Sequence, residues 1–83
     1  MNISFYKTDI ARIFKENNMH YEWWVSPTDG TIKVLVEWGD WKHDHRYLQY
    51  IMSRNHYRVV NTVITEENGD DAFSAEHEFK YGY

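Results

Sequence analysis

TIKVLVEWGDWKHDHRYLQYIM, residues 31–52, changes its hydrophobic period halfway along, and the point of change decides the fold. Up to Trp38 the period is two. Ile32, Val34, Val36 and Trp38 share one face, with Lys33, Leu35 and Glu37 on the other, the alternation of a half-buried strand. After Gly39 the spacing becomes helical, because Trp41, His45, Leu48 and Met52 fall on one stripe with Ile51 beside them. Asp40 stands where an N-cap belongs, just before the first periodic residue.

The same reasoning extends in both directions. Upstream, Ser26-Pro27-Thr28-Asp29-Gly30 has turn chemistry: proline presets φ and glycine accepts a positive one. The aromatic stretch His20–Ser26 before it reads as the first strand of a hairpin. Further back, Tyr6, Ile10, Ile13 and Phe14 form a helical apolar stripe, with Ser4 or Thr8 as its cap and Asn17-Asn18 as its end. Downstream, YRVVNTVIT (57–65) is rich in β-branched residues, and Asn68-Gly69 favours a tight hairpin turn. AFSAEHEFKY (72–81) then alternates, with Phe73, Ala75, His77, Phe79 and Tyr81 inward and Ser74, Glu76, Glu78 and Lys80 outward.

The expected architecture is a single α+β domain over residues 1–83. Its order is αββαββ, a four-stranded antiparallel sheet with two helices on one face. YKTD at 6–9 matches WKHD at 41–44, and NMHY at 18–21 matches RNHY at 54–57, which suggests pseudo-repeat halves of about 4–38 and 40–81. Strand orders 2-1-3-4 and 1-2-4-3 both keep neighbours antiparallel, and periodicity does not choose between them.

Composition narrows the function classes. Four Trp, seven Tyr and four Phe compensate for the thin core of an 83-residue chain. The absence of cysteine removes disulfides and suits a reducing, cytoplasmic setting. No apolar run approaches a membrane span, and MNISFYKTDIARIF lacks a signal-peptide pattern. Net charge is −4, and all of it lies late in the chain. Residues 1–58 hold eight Lys/Arg against seven Asp/Glu. Residues 59–83 hold Lys80 against Glu66, Glu67, Asp70, Asp71, Glu76 and Glu78.

The histidines are the obvious chemical candidates. His43 and His45 would chelate together on a strand, but two residues apart on a helix they point away from each other. His45 and His77 face the core, and His20 and His56 sit at helix-to-strand junctions. The reading is therefore no metal and no cofactor. Catalytic patterns are equally thin. Ser74 and His77 are three apart on a strand and face opposite ways, while Glu76 and Glu78 share a face that offers no deep pocket. A non-enzyme is expected.

The open sheet face carries more information. Alternation puts Trp24, Leu35, Val60 and Ile64 there among charged neighbours, an apolar cluster with the anatomy of a contact surface. The expected function is a small acidic protein-binding module, an inhibitor or adaptor that docks a basic or nucleic-acid-binding protein through this face and the acidic C-terminal hairpin. Self-association through the same face is the related possibility. The alternatives are single-stranded nucleic-acid binding through sheet aromatics, which the acidic charge disfavours, and a histidine-based metal site or enzyme.

Overall fold

The computed structural model describes residues 3–66 and 73–82. Its elements are α1 (Ile3–Glu16), β1 (Glu22–Val25), β2 (Ile32–Glu37), α2 (Trp41–Arg54), β3 (Tyr57–Thr65) and β4 (Ser74–Tyr81). The strands form one antiparallel sheet in the order β1-β2-β4-β3, one of the two orders that periodicity allows. The Asn68-Gly69 turn lies outside the described residues.

One face of the sheet meets the helices. Val25 of β1, Ile32, Val34 and Val36 of β2, Ala75 and Phe79 of β4, and Tyr57 of β3 are buried there. Ile10, Ile13 and Phe14 of α1 and Trp41, Leu48, Ile51 and Met52 of α2 close the core from above. Each helix thus buries the stripe that its sequence period marks out. Both end by one device: the Asn17 and Asn55 amides donate to the carbonyls of Ile13 and Ile51, each 2.9 Å away. Asn18 and His56 follow with positive φ and turn the chain toward a strand.

A polar contact ties α1 to the far edge of the sheet. The Tyr57 hydroxyl donates to Asp9 at 2.7 Å, and Arg12 holds the other Asp9 oxygen at 2.7 Å. Burial and the neighbouring Asp9 push the Tyr57 phenol well above its ordinary pKa, so it stays a donor. Tyr81 packs edge-on against Tyr57 and Phe5 and closes the same corner.

Several sequence expectations need correction. Helix α1 begins at Ile3, so Ser4 and Thr8 lie within it rather than capping it. Strands β1 and β4 are shorter than their apolar runs. Trp38 does not continue the inward row of β2. Positive φ at Trp38 and Gly39 ends the strand, and the indole is 61% exposed. Asp40 occupies the N-cap of α2, but its side chain makes no capping bond. Its backbone carbonyl accepts from the His43 and Asp44 amides instead.

The face assigned to Ile64 also changes. Residues directly opposite in a ladder share a face, and Ile64 lies opposite inward-facing Ala75. Ile64 therefore belongs to the helix side. The reason is a β-bulge between Val59 and Asn61. Val60 is the extra residue, without a partner of its own on β4, and every later side chain of β3 is flipped relative to simple alternation. Val63, opposite Glu76, takes the outward position.

Candidate functional site

The outer sheet face can be rebuilt from the register. One row across the strands is Trp24, Lys33, Glu78 and Asn61, and the next is Glu22, Leu35, Glu76 and Val63. Glu37, Ser74 and Thr65 form a third row, and Lys80 opposite Arg58 lies at the other end. Lys80 beside Arg58 makes that end basic, whereas Glu22, Glu37 and Glu76 make the opposite end acidic. Trp24, Leu35 and Val63 stand among these charges, Leu35 and Val63 in the same row as Glu22 and Glu76.

Trp24 is 56% exposed on edge strand β1. Beside it, Glu22, Trp23, Lys33, Leu35 and Glu76 complete an open hollow of about 490 Å³. Trp23 lines the hollow too, although its row faces the core. It pairs with core residue Val34 and packs against Phe14. Lys33 spans 3.9 Å to Glu78, a loose surface pair that leaves the carboxylates around Leu35 unneutralised by it. An indole face next to two carboxylates is suited to a cationic side chain with an aliphatic stem.

The predicted site residues therefore divide. Trp24, Leu35, Glu76 and Glu78 come together on the outer face. Val60 sits in the bulge at the opposite edge, and Ile64 is on the other side of the sheet. Glu66 is exposed just past the end of β3, on the acidic side. Glu67, Asp70 and Asp71 lie outside the described residues. Alternation missed Val63, whose outward position depends on the bulge.

Two of the histidines meet. His45 Nδ1 on α2 and His77 Nε2 on β4 are 3.1 Å apart, and His77 Nδ1 is 2.8 Å from the Thr62 hydroxyl on β3. The rings stack at 5.2 Å, with Trp41 on the far side of His45. Two proton arrangements satisfy this chain. Either Thr62 donates to His77 and His77 to His45, or each bond runs the opposite way. Both keep His77 neutral. Burial, reinforced by His45, lowers the His77 pKa to about 4, and burial with nearby Arg46 lowers that of His45. The arrangement pins α2 across β4 to β3 through a fully satisfied polar line in the core. His43 stacks on Tyr47, and His20 bonds Asn18, so neither joins it. Among the described residues, no three His, Asp or Glu are grouped to hold a metal ion, and no helix is long and apolar enough to cross a membrane.

Compared with protein-family models, curated proteins and solved structures, the chain matches nothing. The site's own chemistry is therefore the only guide to function.

Proposed function

We propose that this chain is a small protein-docking module that receives a basic segment of another protein on its outer sheet face. The observation that carries the reading is the Trp24 hollow, where a half-exposed indole and Lys33 adjoin a row in which Leu35 stands between Glu22 and Glu76. A lysine or arginine of the partner would lay its stem on Trp24 and Leu35 and place its charge between the two glutamates. The acidic end of the face, continued in sequence by Glu66, Glu67, Asp70 and Asp71, would steer such a partner. An adaptor or inhibitor role for a nucleic-acid-binding protein follows the same charge logic.

The register weighs against base stacking on this face. Trp24 is the only outward aromatic among the described strand residues, and sheet-based RNA readers stack two or three bases on theirs.

The test is affinity capture from a nuclease-treated host lysate at physiological salt, comparing wild type with Trp24→Asp and Glu76→Lys. Circular dichroism would establish that all three proteins fold. Docking on this face requires a captured basic protein to be lost with both variants. A folded Trp24→Asp protein that retains every partner would refute it, and nucleic acid co-purifying from untreated lysate in place of protein would transfer the face to the stacking reading.

A further inference from the structure

The longest strand of the sheet is also an edge. Strand β3 runs nine residues with β4 on one side, and among the described residues its other backbone edge has no neighbouring strand. Exposed edges of this kind are normally blunted by short length, charge or proline. Here residues 59–65, VVNTVIT, contain no charge and no proline. Val59 and Ile64 on the helix side, with Val60 and Val63, are all 40–47% exposed. A seven-residue uncharged run of high β-propensity on an open edge is either paired or an aggregation hazard.

We propose that β3 pairs antiparallel with β3 of a second copy of this chain, around a two-fold axis close to Thr62. The two four-stranded sheets would then join into one of eight strands. The charge distribution favours a copy of the same chain. Two molecules of net charge −4 repel over most of their surfaces, but the strip from Val59 to Thr65 brings no charge against a like charge. The ends of the strand are complementary. Arg58, opposite Lys80, marks the start of β3, and Glu66 follows its last residue. Antiparallel pairing carries the acidic end of each copy to the basic end of the other and holds the two acidic ends about 30 Å apart, well beyond the screening length. Parallel pairing would set them side by side. An axis at Thr62 also places Asn61 opposite Val63 of the second copy. Across the bulge it sets Val59 opposite Ile64 of the second copy, an apolar pair on the helix side formed twice by symmetry.

This interface is separate from the Trp24 hollow, which lies on β1 at the far edge of the sheet, so the two proposals can fail independently. The experiment is sedimentation velocity over a micromolar concentration series for wild type, Val63→Lys, Val59→Lys and Trp24→Asp, with circular dichroism on each. Wild type is expected to move from 10.1 kDa toward twice that mass as concentration rises. Either lysine variant should remain at monomer mass throughout, since symmetry places its charge in the interface twice. Trp24→Asp should associate like wild type. A wild type that is monomeric at every concentration would overturn the proposal. So would lysine variants that associate normally, or dissociation by Trp24→Asp, which would place the contact on the sheet face.

Discussion

The two edges of this sheet solve the same problem in different ways. Strand β1 is four residues long, opens with Glu22, and is followed two residues after its end by Pro27. Its shortness and the nearby proline leave little backbone for another strand. Strand β3 buries Tyr57 at its start, and every residue after that is exposed. The cause is the reach of the helices. Helix α2 covers β2 and β4, whose Ala75, His77 and Phe79 are all buried, while β3 beyond Tyr57 lies at the margin of that cover, with its helix-side Val59 and Ile64 41% and 47% exposed. The difference teaches that a small core can leave most of its longest strand without a second layer. What remains exposed there is both an edge and two partly apolar faces.

Substitutions on the buried row of β4 and on the exposed length of β3 should break this contrast most sharply. Phe79→Ala, on the covered part of β4, should destabilise the fold by about 3–5 kcal/mol, whereas Val63→Ala on β3 should change it by less than about 0.5 kcal/mol in dilute solution. Urea unfolding measures both. Similar losses at the two sites would mean that the outer half of β3 is covered after all.

The histidine pair gives the next effect. With its pKa held near 4, His77 remains neutral in the folded chain, while the unfolded chain takes up the proton near its ordinary value of 6.5. The unfolded state therefore binds more protons between those values, and stability is lost as pH falls from about 6.5 to 4. The loss should reach about 3 kcal/mol, followed by unfolding midpoints across that range. His77→Leu should flatten most of this dependence. An unchanged slope in that variant would assign it to other groups.

A smaller effect belongs to the corner joining α1 to β3. Tyr57→Phe removes the donor that Asp9 accepts at 2.7 Å and should lower stability by about 1 kcal/mol, read by thermal unfolding. Asp9 keeps Arg12, so the penalty stays at the level of one hydrogen bond. A loss several times larger would make this corner, rather than the core under α2, the anchor of β3.

The elements themselves were legible from the periods of α1, β2, α2 and β4 and from the aromatic and β-branched composition of β1 and β3. YRVVNTVIT marks β3 at both ends, and the period change after Gly39 marks the start of α2. The strand order was not legible, since both candidate orders satisfy the same pairing rule. Ile64 was placed on the wrong face because a bulge adds one residue without altering composition, and alternation carries no sign of it. Trp38 was misplaced for a related reason: a positive φ at a tryptophan is set by the turn around it, not by its own preference. Both His45 and His77 read as inward-facing, but their contact needed the register of β4 under α2, which only the assembled sheet supplies. Trp24 and Leu35 share the outer face because β1 and β2 pair without a bulge, so alternation carried across both strands.

The contrast between the edges is tested most directly by amide hydrogen exchange as a function of protein concentration. Pairing through β3 requires the outward-pointing amides between Val59 and Thr65 to exchange rapidly in dilute solution and to become protected as concentration rises. The amides of β1 should show no such dependence. Amides of β3 that exchange rapidly at every concentration, or protection that develops at β1 instead, would contradict the account.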